Sequence, residues 1–187
     1  MKKEKSNDWW EWIKAILITV AIAVIVKQFI LAPIVVDGPS MQPTLHNRDH
    51  MIVNKFMYRF KDPERFDVVV FHASDKKDFI KRVIGLPGEH IKYKNDKLYV
   101  NDKKIDEDFL QDEKNNLTDG EVLTSDFELE NLPEGYSTIP EGYFLVLGDN
   151  RTNSTDSRML GLISKKQIVG RTSFIYWPMD RIQKLRK

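Results

Sequence analysis

The chain has 187 residues, 41% of them hydrophobic and 30% charged, with a formal net charge of +1 and no cysteine. That length suits one domain carrying an anchor or a small insertion, and the composition excludes wholesale disorder. The balanced charge lacks the basic excess a nucleic-acid partner calls for. The missing thiols exclude disulfides, a thiolate nucleophile and cysteine metal ligands, which fits cytosol or the exported face of a bacterium that does not rely on disulfides.

Residues 1–12 carry Lys2, Lys3 and Lys5, then Trp9, Trp10 and Trp12. An apolar stretch follows, interrupted near its ends by Lys14 and Lys27. Extended from Ala15 to Ala32 it makes about 27 Å of helix, close to the hydrocarbon thickness of a bilayer. Lysines near both ends can snorkel, the tryptophans form an interfacial edge, and the leading lysines favour a cytoplasmic N-terminus. A transmembrane anchor is therefore expected over residues 13–32, with residues 33–187 on the extracytoplasmic side. A cleavable signal peptide fits less well, because Pro33 follows Ala32 and obstructs cleavage there. A buried core helix is the remaining alternative.

From Ile34 onward short strands are expected. Phe66-Asp-Val-Val-Val-Phe-His72 is a β-branched run. Residues 79–84 form another, closed by Gly85-Leu-Pro-Gly88. Residues 90–94 and 97–100 flank Asn95-Asp96, a two-residue hairpin signal. Residues 102–136 are acidic, polar and weakly periodic, and read as a loop-rich lobe inserted at about 94–138. Two similar turns, Leu132-Pro-Glu-Gly-Tyr136 and Ile139-Pro-Glu-Gly-Tyr143, are punctuation rather than a repeat. Strands are expected at 143–147 and 168–177, and the basic tail from Arg181 to Lys187 reads as solvated.

Three stretches carry candidate chemistry. In Gly38-Pro-Ser-Met-Gln-Pro-Thr-Leu45 the glycine and prolines restrict the backbone around Ser40, and a nucleophile needs such a fixed position. An ordinary Pro-rich turn has the same composition. None of His46, His50, His72 and His90 stands in a setting that marks it as the base. Lys81 does: in a strand over 79–84, Phe79, Lys81 and Val83 share one face and Ile80, Arg82 and Ile84 the other. On an apolar face its pKa falls, which lets it accept a hydroxyl proton near neutral pH. An edge lysine snorkelling to water satisfies the same pattern. The third stretch, Gly148-Asp-Asn-Arg-Thr-Asn-Ser-Thr-Asp-Ser-Arg158, suits a hydrogen-bonded loop. There Asp149 and Asp156 can pair with Arg82, Arg151 or Arg158, and Ser154 or Ser157 can orient a neutral lysine.

Other motifs fail. No glycine lies two residues after Ser40, so the hydrolase nucleophile elbow is missing. Ser74-Asp-Lys-Lys77 matches the Ser-x-x-Lys of penicillin-binding enzymes, but the companion Ser-Asp-Asn and Lys-Thr-Gly motifs are missing. No phosphate-cradling glycine loop or metal-ligand cluster is evident, and no cofactor is implied.

Taken in order behind an anchor, Gly38-Pro-Ser-Met-Gln-Pro-Thr-Leu45, Arg65-Phe-Asp-Val-Val-Val-Phe71, Lys81-Arg-Val-Ile-Gly-Leu-Pro-Gly-Glu89 and the 148–158 loop closely resemble bacterial type I signal peptidases of the Gram-positive branch. The resemblance implies a mainly β fold: an antiparallel catalytic domain with a small inserted lobe, behind the N-terminal transmembrane helix. It implies Ser40 as nucleophile and Lys81 as general base, with Ser154 orienting that lysine. Asp149, Arg82, Asp156 and Arg158 match structural ion-pair and loop-holding positions. Its substrates would be secretory preproteins, bound extended beside residues 34–37 and cut after small residues. Met41, Leu45, Phe79, Ile80 and Val36 are the expected pocket residues. The lipid bilayer is the second partner, with Phe56, Met57, Trp177 and Met179 as further membrane contacts. Two positions depart from the family pattern. Gly38 replaces a hydroxyl residue that many Gram-negative members use in the oxyanion hole, and Phe66 stands where glycine is usual. A self-cleaving Ser–Lys repressor protease and a non-catalytic tethered scaffold are the rival readings.

Overall fold

The computed structural model describes residues 8–74, 77–118 and 120–187. The segment carrying Lys2, Lys3 and Lys5, and Asp75 and Lys76 of the rejected Ser-x-x-Lys match, lie outside the described residues. Helix α1 spans Asp8–Phe29, and its apolar residues are spread round the axis with no preferred face. Trp9, Trp12, Leu17, Val20 and Val24 are all exposed. Among the described residues no helix is long and apolar enough to cross a membrane.

The end expected for the anchor, residue 32, lies beyond the end of the helix. Strand β1 is Leu31–Val35 and pairs antiparallel, residue for residue, with β2, His50–Asn54. Leu31 and Ala32 therefore belong to a sheet, which corrects that boundary. Pro33 is tolerated because β1 is the sheet's edge strand, where a missing N–H goes unnoticed.

The central pair is β3, Val68–Ser74, and β4, Lys77–Gly85, antiparallel with Val69 opposite Lys81. β3 starts two residues later than its β-branched pattern suggests. Phe66 has φ +68°, a left-handed turn conformation that interrupts the strand. A glycine, which the resemblance leads one to expect here, would adopt this conformation without strain. Phe66 takes it instead, with its ring packed edge-on against Phe109, centroids 5.2 Å apart.

Ile91–Lys94 (β5) and Lys97–Val100 (β6) form the expected hairpin. Asn95 and Asp96 both take positive φ, as a two-residue turn of matching twist requires. This hairpin is part of the inserted lobe. With β7, Lys103–Ile105, and β8, Phe127–Glu128, it makes a four-stranded sheet ordered β7-β6-β5-β8. The short helix α2, Gln111–Asn115, lies between the last two strands. Paired amides close the lobe's neck: Gly88 N–H donates to Ile139 O and Ile139 N–H to Glu89 O. The lobe is wider than the expected 94–138 and more regular than its polar sequence suggests, because Leu98, Leu110, Leu129 and Ile139 form one buried cluster under it.

The main sheet resumes with β9, Tyr143–Leu147. It continues through helix α3, Ser157–Leu160, and β10, Ile163–Ser164, to β11, Ile168–Trp177. Its order is β1-β2-β11-β3-β4-β9-β10, with β12, Gln183–Lys184, on β11. The alternation expected on β4 holds. Phe79 and Val83 pack with Val69, Phe71 and Phe144, whereas Ile80 and Ile84 join the clusters on the other side. The basic tail is not simply solvated. Leu185 is buried, Arg181 pairs with Asp49, and Lys187 pairs with Glu64 and Asp67. A strand hydrogen-bonded to β11 delivers those residues to their partners, which a reading of net charge alone does not register.

Candidate active site

Ser40 lies on the turn after β1, where the chain is fixed from both sides. Gly38 N–H donates to Asn47 Oδ1 at 3.2 Å, and Leu45 N–H to Met41 O at 2.8 Å. From the other side Asn150 N–H donates to Ser40 O at 3.1 Å, and Asn150 Nδ2 to Pro39 O at 3.2 Å. A Cβ built on Gly148 would overlap both the Ser40 carbonyl oxygen and Ser154 Oγ. The 148–158 loop therefore approaches Ser40 at backbone contact, and residue 148 has to be glycine. Sequence reasoning misses the roles of Asn150 and Gly148. A glycine opening a run of short polar residues is the only signal the chain offers for them.

Lys81 sits near the middle of β4 with 2% of its surface exposed. Its Nζ donates to Ser40 Oγ at 2.7 Å and lies 5.2 Å from the Phe79 ring centroid. Burial lowers the ammonium pKa from 10.5 to about 8. Asp156 and Asp149 pull against that fall and Arg158 adds to it. A hydroxyl touching a desolvated amine at the floor of a cleft is equipped for proton transfer and attack on a carbonyl.

The supporting residues are brought together around this pair. Arg82, next to Lys81, meets Asp149 through two bonds, Nε to Oδ1 at 2.9 Å and Nη2 to Oδ2 at 2.6 Å, both side chains fully buried. Its Nη1 donates to Phe66 O and Arg186 O, and its guanidinium stacks 3.9 Å from the Phe109 centroid. Asp156 caps α3, accepts from Gly148 N–H, and holds Arg158 through Nε and Nη2 at 2.8 Å each. Burial pushes its carboxyl up, but Arg158 and the Gly148 amide outweigh that and keep it below the usual carboxylate range. Ser154 is placed differently from expectation. Its Oγ is buried against Gly148 beside Asp156, whose carboxyl it helps to hold down, and Lys81 donates to Ser40. Arg151, left open between two aspartates by the sequence, pairs with Glu107 of the lobe.

The cleft holds about 310 Å³ and is lined by Val36, Met41, Phe79 and Ile80 beside the Ser40–Lys81 pair. Leu45 does not line it. That side chain is fully buried in the cluster with Met51 and Ile175, because the turn at residues 41–45 folds it inward. β1 is an edge strand, and β4 bonds to β9 only from Arg82 onward. Two strand edges thus border the cleft. His72 pairs with Asp78 at its mouth, Nδ1 to Oδ1 2.6 Å, and His90 with Glu130; neither touches Ser40. Among the described residues no cluster of His, Asp and Glu is arranged to hold a metal ion.

An antiparallel β domain with a hydroxyl–amine pair in a strand-bordered cleft has the make-up of an enzyme that acts on an extended peptide. Comparison with known proteins narrows that class. The family model for signal peptidases, peptidase S26, matches residues 9–177. Signal peptidase I of Bacillus caldolyticus is 47% identical over 180 residues, 96% of each chain. Signal peptidase I S of Bacillus subtilis (strain 168) is 44% identical, covering 98% of this chain and 99% of that one. A crystal structure of a signal peptidase I from Enterococcus faecalis V583 is 42% identical, covers 59% of this chain and 97% of its own, and superposes with a TM-score of 0.56. The chain belongs to the signal peptidase family S26 and is a peptidase.

Proposed function

We propose that this enzyme is a membrane-attached endopeptidase that removes signal peptides from exported preproteins, with Ser40 as nucleophile and Lys81 as general base. The contact of 2.7 Å between Lys81 Nζ and Ser40 Oγ, inside a niche that lowers the amine pKa, carries the reading. Neutral Lys81 takes the Ser40 proton as Oγ attacks the scissile carbonyl. Protonated Lys81 then gives that proton to the departing amine of the mature chain. Lys81 next takes a proton from a water, which attacks the acyl-enzyme carbonyl, and returns that proton to Ser40 Oγ as the C–Oγ bond breaks. Ser40 N–H is the main donor to the developing oxyanion, since Gly38 offers no side chain.

Residues before the cut lie extended along the free edge of β1 and the open part of β4. The apolar walls at Val36, Met41, Phe79 and Ile80 leave room for small side chains one and three positions before the bond. Asp149, Arg82, Asp156 and Arg158 hold the loop that carries Asn150 against Ser40, and Ser154 fills the space behind Gly148.

Membrane attachment is assigned to α1, with the β domain on the extracytoplasmic side. A helix lying in the plane of an interface needs one apolar and one polar face, and α1 has apolar side chains exposed all round. Attachment keeps enzyme and substrate on one surface and raises their effective concentration. Exposed Phe56, Trp177 and Met179 are further candidates for contact with lipid.

Cleavage of a preprotein in detergent by wild type, Ser40→Ala and Lys81→Ala tests the chemistry. Activity is expected in the wild type alone. Equal activity in all three discards the dyad, and none in any favours a scaffold. Sedimentation of the full chain with lipid vesicles, compared with a chain beginning at residue 31, tests the attachment.

A further inference from the structure

Asn150 anchors the Ser40 segment through two hydrogen bonds, and it is a half-buried loop residue whose O and Oδ1 accept from Asn153 N–H and Thr152 Oγ1 of the same loop. The Arg82–Asp149 and Asp156–Arg158 pairs hold this loop from the core side, and Arg151 ties it to the inserted lobe. Arg151 is fully buried and makes four side-chain hydrogen bonds. Nε donates to Gly148 O at 3.0 Å, Nη1 to Tyr93 Oη at 3.0 Å and Thr124 Oγ1 at 3.1 Å, and Nη2 to Glu107 Oε1 at 2.6 Å. Tyr93, Thr124 and Glu107 all come from the inserted lobe. Each is itself fixed there. Tyr93 Oη donates to Glu107 Oε1 at 2.7 Å, and Lys114 Nζ bridges Glu107 and Asp96 O. Asp96 in turn accepts from the amides of Leu123 and Thr124.

We propose that the inserted lobe is a clamp on the nucleophile, with Glu107 as its positioning residue acting through Arg151 on the Gly148–Asn150 backbone that bonds to the Ser40 segment. The proposal rests on Ser40 being the nucleophile. Docking alone does not call for such a device, because fourteen buried apolar residues already join lobe and core. A fully buried ion pair is a poor source of net stability compared with apolar residues of the same size. What it supplies is direction. Four hydrogen bonds on one planar guanidinium fix where the loop backbone lies, and apolar contacts do not set position that finely. A nucleophile displaced by about 1 Å loses on the order of a hundredfold in rate, so a clamp of this kind bears on kcat.

The test uses the full-length enzyme in detergent micelles and a peptide with small residues before the cut. Tyr93→Phe removes the two clamp bonds of Tyr93 Oη, to Arg151 and to Glu107, and keeps the Glu107–Arg151 pair. Glu107→Leu combined with Arg151→Met removes the pair without leaving a charge unpaired. Lys104→Ala, at an exposed lobe ion pair with Asp106, is the control. The expected result is a fall in kcat of about threefold for Tyr93→Phe and about tenfold or more for the double variant, with KM unchanged and the control at wild-type rate. The Asn150 amide hydrogen, bonded to Ser40 O, should exchange faster in step. Wild-type kcat and unchanged Asn150 exchange in Tyr93→Phe overturn the proposal, as does a folded double variant of full activity. If the double variant does not fold, Tyr93→Phe decides. Amide exchange needs no turnover, so a wild type inert toward the peptide refutes the proposed reaction while leaving the clamp open to the exchange measurement.

Discussion

Replacing Phe79 with serine tests the origin of the Lys81 amine's basicity. With its pKa near 8, about one Lys81 in ten is neutral at pH 7, against about one in 3,000 for an ordinary lysine. The fall from 10.5 amounts to roughly 3 kcal/mol against the ammonium, and burial is its largest cause. The Phe79 ring is one wall of that niche, 5.2 Å from Nζ. Serine there admits water, and an upward shift of about one pH unit is expected, worth about 1.4 kcal/mol. The assay is log(kcat/KM) against pH on a short peptide. Wild type should rise with unit slope to about pH 8 and then level, because only the neutral amine accepts the proton. Phe79→Ser should lose about tenfold at pH 7 and converge on its own plateau above about pH 10. If the limb stays put and only the plateau drops, Phe79 is a pocket wall and nothing more. If the limb survives in residual activity of Lys81→Ala, the base lies elsewhere.

The same amine sets a pH dependence of stability. Between about pH 8 and 10.5 the unfolded chain keeps a proton on Lys81 that the folded chain has released, so stability should rise with pH through that window. Lys81→Met should accordingly be more stable than wild type at pH 7, by about 1–3 kcal/mol in urea titrations, with the advantage gone above pH 10.5. Arg82→Met strands the buried Asp149 carboxylate and should cost about 3–5 kcal/mol, most of it recovered by adding Asp149→Leu; equal loss in both variants contradicts the pairing. Gly148→Ala forces a methyl into Ser40 O and Ser154, so kcat should drop about a hundredfold while urea stability falls about 1–3 kcal/mol. At Phe66 relief of the left-handed backbone and loss of the Phe109 contact oppose each other. Phe66→Gly should therefore shift stability by less than about 1 kcal/mol, and a larger loss means the ring contact dominates.

Much of the sheet is legible along the chain because its signals are local. The strand at Tyr143–Leu147, the strand at Ile168–Trp177 and the Asn95-Asp96 turn depend on alternation, β-branching and turn chemistry within a few residues. Lys81 stands out for the same reason, since strand periodicity alone puts it among apolar neighbours. Where sequence and structure part, the deciding force comes from far along the chain. Residues 31–32 read as helix because they are apolar, but pairing with His50–Asn54 takes them into a sheet. Leu45 has the composition of a pocket wall, and the fold of the Ser40 turn buries it instead.

From the sequence alone come the identities of the chemical groups and the order of the elements that carry them. Ser40, Lys81, Arg82, Asp149, Asp156 and Arg158 are residue types that can only act in certain ways. Which partner each one meets is settled by tertiary packing. Arg82 takes Asp149 over Asp156, Arg151 turns to Glu107 in the lobe, and Ser154 packs against Gly148 without a bond to Lys81. Charge pairing and desolvation depend on distances of a few ångströms between segments remote in sequence, and only the folded chain specifies those distances.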